Sequence, residues 1–347
     1  MVDNPNQEKA DKVGREAPVP RGQHVIPRMH LQHFAGSRPP GQVWTFNKNS
    51  GAAWSAVPEE TAKQTHFYSV EKDDGTYDTR IEEFLSECEG KAAPTYERLI
   101  TGIPPPANSQ EKADFALFAA LLHVRTASMR RDAGEMIARF EQIHRYAYGA
   151  HEKAFAGLIK RVEKDQGKKL SQDEREKMRE MLVDPSTYTV QVPKERTLFA
   201  LGAADKLAPI LFNMNWSLIG AAEGSFITSD NPLVRWVEPN TRHPIYGDHG
   251  FQNKTAEVTV PLTPQLLLLM AWRTDFPPLA VLLGDAVAYY NDMRAWFAEE
   301  YLYAHTDSED LRRLAAKHKG SRVRMTTQGF GPDKFADVEI PRRWTKR

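Results

Sequence analysis

The stretch NSQEKADFALFAALLHVRTASMRRDAGEMIARF, residues 108–140, decides how the rest of the chain is read. Phe115, Phe118, Leu122, Met129, Ala133, Met136 and Phe140 recur at steps of three and four, the period of one helix face. Asn108 can cap that helix and Glu111 can close a capping box. Upstream, Pro104, Pro105 and Pro106 form a stop. A further helix is expected from about Asp78 past Cys88, with Pro94 kinking or dividing it. Downstream, helices are expected within Glu152–Glu163, Gln172–Leu182 and Glu195–Asn213.

The pattern changes after Trp216. Ser217–Ala222, Ser225–Thr228, Leu233–Val237, Glu257–Pro261 and Leu266–Trp272 read as strands, punctuated by Gly224, Asn231-Pro232, Asn253 and Pro264. Before the helices, Gln42–Phe46, Ala52–Val57 and Thr65–Val70 read as short strands. Pro27 can open a short helix reaching Phe34. A last long helix is expected from about Ala286 to Ala304, and a shorter one from about Ser308 to His318. A helical block followed by clustered strands argues for an α+β fold, a helical bundle packed against a mostly antiparallel sheet. Most of that sheet should come from the strands after Trp216, joined by one or two from before Val70.

The chain has 347 residues, 41% of them hydrophobic, enough for a sizeable core. No interior linker or repeat divides it. The expectation is a disordered tail over 1–20 and one domain over 21–340. Within it lie a helical lobe over about 78–213, a strand-rich lobe over about 216–272, and C-terminal helices over about 286–318. Forty-six basic residues match 46 acidic ones, so no global charge favours nucleic acid. One cysteine, Cys88, allows no internal disulfide and fits a reducing compartment. The polar N-terminus carries no apolar signal core, and Leu266–Trp272 and Leu279–Leu283 are too short to span a bilayer. The expected location is the cytoplasm, with no membrane partner.

Four groups of residues can carry chemistry. Glu82 and Glu89 differ by only about 20° around a helix at about 100° per residue. Their face also carries Leu85, Ala92 and Tyr96, so two carboxylates lie on a core-facing stripe. They are either partly buried acids, with raised pKa values or a bound cation, or stripe-edge acids paired with arginines. Arg125 lies within the apolar stripe of residues 108–140. It is either an anion clamp or a buried bridge to Glu82 or Glu89. His24, His30 and His33 match no zinc spacing; His24 suits an acid/base or hydrogen-bonding role, and His30 and His33 are expected at the surface. Asp230 and Asn231 suit an Asx turn before Pro232; the alternative holds Ser229 and Asp230 at a strand end, facing a cleft. The phosphate loop, the dinucleotide fingerprint, HExxH and GxSxG are all absent.

In order, the chain carries His24-Val25-Ile26-Pro27 with Leu31 and Phe34, then Phe67-Tyr68-Ser69. Ile81-Glu82 with Leu85-Ser86 and Glu89 follow, then Arg125-Thr126. Phe226-Ile227-Thr228-Ser229-Asp230-Asn231-Pro232, Pro261-Leu262-Thr263-Pro264, Asn291 and Tyr303 complete the set. This combination, from about Gln23 to Leu314, resembles the bacterial family called domain of unknown function 4238. Val25 and His30 stand where that family usually has aromatic residues. The resemblance implies no reaction. It implies that His24, Glu82, Glu89, Arg125, Asp230, Asn231 and Asn291 match recurrent polar positions.

Two functions are carried forward. One is a hydrolase whose site comprises His24, Glu82, Glu89, Arg125, Ser229, Asp230, Asn231 and Asn291, with the first four, Ser229 and Asp230 lining one concavity. There a Glu acts as general base, Arg125 holds an anionic group, His24 acts as acid or orients water, and Asp230 binds a cation or orients His24. Small phosphoesters and glycosides precede DNA or RNA as substrates. The other is a non-catalytic protein, a stress or defence sensor, that binds a small molecule or a protein and whose polar residues form a buried network. The cofactor is left open: a divalent metal is weighed, and no residue is assigned as its ligand.

Overall fold

A computed structural model describes residues 22–37, 41–241 and 250–322. The expected tail over 1–20 and the segment 323–340 of the expected domain lie outside them. The chain opens with β1 (Gly22–His24), α1 (Arg28–Gln32), β2 (Val43–Asn47), β3 (Ala53–Ala56), β4 (Lys63–Thr65), β5 (Val70–Glu71) and β6 (Tyr77–Asp78). The helical stretch follows: α2 (Arg80–Ile100), α3 (Gln110–Val124), α4 (Ala127–Ala150), α5 (Glu152–Gln166), α6 (Gln172–Val183), α7 (Lys194–Thr197) and α8 (Ala204–Asn213). Then come β7 (Asn215–Ala221), β8 (Thr228–Ser229), β9 (Val234–Trp236), β10 (Glu257–Thr263), β11 (Leu266–Ala271), β12 (Leu279–Leu282), α9 (Gly284–Phe297), β13 (Tyr301–Ala304) and α10 (Glu309–Lys317). The fold is α+β with mainly antiparallel pairing.

Two sheets carry the fold where one was expected. The first has the order β12-β7-β11-β10-β9, and the second β3-β2-β13-β8. Of the early strands, β2 therefore pairs with β13 and β3 with β2, and neither pairs with β7, β10 or β11. In the first sheet, β11 is buried along its whole length because both of its faces are covered. Leu266, Leu268 and Met270 join Phe115, Phe118, Leu122 and Leu211 of α3 and α8. Leu267 and Leu269 face the other way, onto Phe226 and Val287 of α9. The run at Leu279–Leu282 is a strand as well, and it lies parallel to β7 at the sheet edge.

Several local expectations change for identifiable reasons. Pro94 does not divide α2, which runs unbroken through it. The helical bond it forgoes would go to Gly90, which is exposed, so no buried carbonyl is orphaned. Ser109, not Asn108, caps α3 by accepting Lys112 N–H at 3.1 Å, and Glu111 pairs with Arg98. The helix expected to run on to Phe140 ends at Val124 and restarts at Ala127, capped by Thr126. The break turns the later part of the stripe away from the sheets, and Phe140 is 61% exposed. The outer part of α4 packs instead on α5 and α6, which have a small core of their own at Phe155, Ile159 and Leu170. The last long helix stops at Phe297, and Tyr301–Ala304 is a strand.

His30, expected at the surface, is fully buried. Its Nδ1 lies 2.9 Å from the Tyr96 hydroxyl of α2, and its Nε2 lies 2.9 Å from the Thr228 hydroxyl of β8. Tyr96 donates its own proton to the Leu262 carbonyl at 2.8 Å. Nδ1 must therefore carry the imidazole proton, and Nε2 accepts from Thr228. A neutral ring thus ties α1, α2 and the second sheet together. His33 is partly buried, stacked on Tyr96 with ring centroids 4.6 Å apart.

Burial lowers the His30 pKa to about 3 and that of His123 to about 4. Both lie below the unfolded value, so stability is complete above about pH 6.5 and falls as protons bind the unfolded chain preferentially. At pH 5 each histidine should cost about 2 kcal/mol. His30→Gln keeps a donor and an acceptor but does not titrate. Urea unfolding at pH 7 and pH 5 should show a loss about 2 kcal/mol smaller in this variant than in wild type. Equal losses would mean that His30 does not resist protonation.

Candidate functional site

The break between α3 and α4 places Arg125 where four segments meet. It is the residue that ends α3, and only 3% of its surface is exposed. Nη1 donates to Glu89 Oε1 of α2 at 2.6 Å, Nη2 to the His24 carbonyl of β1 at 2.8 Å, and Nε to the Tyr68 hydroxyl at 3.2 Å. Tyr68 passes its proton back to the Arg125 carbonyl at 2.9 Å, so the end of α3 leaves no orphan there. Burial opposes the arginine's charge, but Tyr68 and Glu89 outweigh it and hold the pKa above the ordinary value. Every guanidinium nitrogen is engaged inside the protein. Of the two readings of Arg125, the buried bridge holds. Arg125 has its charge matched by Glu89, and only 3% of its surface is exposed.

Gln23, fully buried on β1, organises the adjoining space. Its Oε1 accepts Tyr68 N–H at 2.6 Å, and its Nε2 donates to Ser69 Oγ at 2.6 Å and also serves Glu82. Tyr68 and Ser69 lie between β4 and β5, in an irregular segment that follows His66, whose φ is +49°. The second oxygen of Glu82, Oε2, is buried and has no hydrogen-bond partner. Burial raises the Glu82 pKa; Gln23 and Arg125 oppose that shift, and Glu89 adds to it. The His24 ring turns away from Arg125, with Nε2 at 3.3 Å from the Pro58 carbonyl. Burial, aided by Lys63, lowers its pKa, so the ring is neutral near pH 7. His24, Glu82, Glu89 and Arg125 are thus neighbours, although His24 reaches Arg125 through its backbone.

Ser229, Asp230, Asn231 and Asn291 form a second group. Asp230 follows β8 and accepts three backbone N–H groups: Glu299 at 2.8 Å, Glu300 at 2.7 Å and Tyr301 at 2.9 Å. These bonds draw the chain out of α9 and into β13. Burial raises the Asp230 pKa to about 6 against those three bonds and the nearby Lys48. Ser229 Oγ donates to the Asn231 carbonyl at 2.9 Å and accepts Asn231 N–H at 3.2 Å. Asn231 donates to the Phe297 carbonyl at 2.7 Å and accepts from Ser128 at 2.6 Å. Asn291 holds the Ile227 N–H at 3.0 Å and the Ser225 carbonyl at 2.8 Å. Asp230 therefore neither orients His24 nor presents a free oxygen to a cation. Ser128, in the first turn of α4, lies 3.1 Å from Thr126 Oγ1 and is the link between the two groups.

Among the described residues there is no group of three or more His, Cys, Asp or Glu able to hold a metal ion. Sequence reasoning missed Gln23, Lys48 and Arg294 entirely. Lys48 is buried and donates to the carbonyls of Ala295 at 2.9 Å and Ala298 at 2.5 Å, closing the end of α9. Burial lowers its pKa to about 8. Arg294 is buried against the Pro232 carbonyl and Thr259 Oγ1. No local motif marks these residues, because each is defined by carbonyls distant in sequence.

Breaking a buried ion pair leaves one charge uncompensated, at a cost of about 3–5 kcal/mol. Glu89→Gln should reach that range, because Arg125 would keep its burial and lose the carboxylate it bonds. Arg125→Met should cost less, since Glu89 is partly exposed. Urea unfolding at pH 7 measures both. A loss below about 1 kcal/mol in Glu89→Gln would place the pair in the class of surface bridges.

No curated protein and no solved structure matches the chain. A family model described as "Protein of unknown function (DUF4238)" matches residues 22–308, most of the chain, and the chain belongs to that family.

Proposed function

We propose that this chain is a ligand-binding protein, with Glu82 as the group that meets a small polar molecule and the Arg125 and Asp230 groups as its scaffold. The observation that carries this reading is the buried Glu82 Oε2 without a hydrogen-bond partner. A carboxylate oxygen removed from water and left unpaired lowers stability, and such a group makes sense where a partner arrives from outside. By contrast, Arg125, Asp230, Asn231 and Asn291 use their polar atoms on the protein's own chain. That pattern supports the buried-network alternative for those four residues.

A hydrolytic version has one specific observation in its favour. Burial holds Glu82 above the usual carboxylate range, while seven residues along the same helix Glu89 is paired with Arg125. Two carboxylates in contrasting environments suit acid/base work, with Glu82 as the proton-transfer group. Arg125 takes no part in that version, because it is buried and its charge is paired with Glu89.

Glu82→Gln separates these readings from a purely structural one. A carboxylate whose folded pKa is raised stabilises the fold below its unfolded pKa, and that stability is lost as pH rises through the folded value. At pH 8 the variant should therefore melt at or above the wild-type temperature, unlike Glu89→Gln. A hydrolase screen, with and without divalent cations, should be run on wild type, Glu82→Gln and His24→Ala. Turnover that vanishes in Glu82→Gln supports the hydrolytic version. Turnover that survives both substitutions sinks it. A melting temperature of Glu82→Gln that falls as far as that of Glu89→Gln would assign Glu82 to the scaffold.

A further inference from the structure

We propose that the ligand of this site presents a positively charged nitrogen, an ammonium group, to Glu82; the inference rests on the reading of Glu82 as the ligand-binding residue. The local charges set the sign. Glu82 and Glu89 face one guanidinium, Arg125, and Glu89 is the acid that Arg125 bonds. One carboxylate is left over. The His24 ring, bonded to the Pro58 carbonyl, adds no compensating charge near neutral pH. Among the described residues, the other cations near this junction are engaged elsewhere. Arg130 donates to the carbonyls of Phe67 and Lys194 and to Thr197 Oγ1, and Lys63 pairs with Glu60 at 3.0 Å.

The hydrogen-bonding pattern agrees independently. An ionised carboxylate only accepts, so whatever meets Oε2 must bring a donor. The Gln23 amide is already committed to Ser69 and Glu82, and its carbonyl to Tyr68 N–H. Among the described residues, a phosphate or carboxylate would meet Glu82 with no cation that is not already bonded to another group of the protein. A neutral hydroxyl would satisfy the oxygen but leave the charge uncompensated in a partly buried place. An ammonium group supplies donor and charge together, in the charge-assisted bond that is about twice as strong as a neutral one.

The test uses the full-length protein and three probes of matched length: n-butylammonium, n-butanol and n-butyrate, at fixed ionic strength. Melting temperature and isothermal titration calorimetry are recorded at pH 8 on wild type, Glu82→Gln and Glu87→Gln, an exposed acid on α2 that controls for nonspecific attraction. The expected result is saturable binding of butylammonium to wild type and to Glu87→Gln. Its affinity should fall about tenfold or more in Glu82→Gln, with no saturable binding of the other two probes. Failure of butylammonium to bind, or equal binding to Glu82→Gln, overturns the inference. Glu82-dependent binding of butanol or butyrate in place of the amine also overturns it, yet leaves Glu82 as a ligand-binding residue. If no probe binds and Glu82→Gln is as destabilised as Glu89→Gln, both readings fall.

Discussion

A guanidinium removed from water must find acceptors for its N–H groups and a charge to offset its own, and at Arg125 that requirement shapes the protein. The acceptors come from three places distant in sequence: Glu89 on α2, the His24 carbonyl on β1 and the Tyr68 hydroxyl between β4 and β5. Arg125 can meet all of them only because α3 stops there and α4 leaves in a new direction. A continuous helix would have kept Phe140 on the core stripe. The break gives up that burial and gains a junction where four segments are fixed relative to one another. Removing either charge would leave the other in a low-dielectric setting, which makes the pair a specifier of geometry more than a source of net stability.

The second constraint is the turn from α9 into β13. Three consecutive amides, those of Glu299, Glu300 and Tyr301, point at one carboxylate, Asp230. The carbonyls on the helix side, at Ala295 and Ala298, point at Lys48. A helix end normally leaves such groups to water. Here they are buried, and an acid and a base from two other segments replace the water. Ser128 joins this region to the Arg125 junction, as does the ion pair between Arg131 of α4 and Glu299. The two polar groups are therefore parts of one framework around the first turn of α4.

Within that framework Glu82 and Glu89 share a helix face but differ in role. Glu89 is paired with a buried cation, and its removal would harm the fold. Glu82 lies beside Gln23, and its buried Oε2 has no hydrogen-bond partner. A group that lowers stability while its neighbours raise it is the usual mark of a place kept for something other than folding. The contrast also changes the polarity of the expected ligand. Judged by residue type, Arg125 suggested an anion. Judged by which hydrogen bonds remain to be made, the site calls for a cation.

The α+β class, most of the helices and most of the strands between Trp216 and Trp272 were legible in the sequence, because helix and strand periods are local and survive without tertiary context. So was the meeting of Arg125 with Glu82 or Glu89, since opposite charges on two core-facing stripes have to find each other; which of the two it meets, Glu89, only the folded chain decided. The sequence could not assign those strands to two sheets, because pairing β2 with β13 joins residues about 250 apart through backbone groups that every residue carries. It could not tell that Leu279–Leu282 lies parallel to β7, since a short apolar run has no direction of its own. His30, Gln23, Lys48 and Arg294 were opaque for a related reason. Their partners are hydroxyls, amides and carbonyls brought near by folding, so their burial follows from the assembled chain and not from neighbouring sequence. Residue type and period determined which groups could be charged and which faces must be covered. Only the tertiary structure decided which of those charges were already matched, because matching depends on distances of about 3 Å between segments that the sequence leaves far apart.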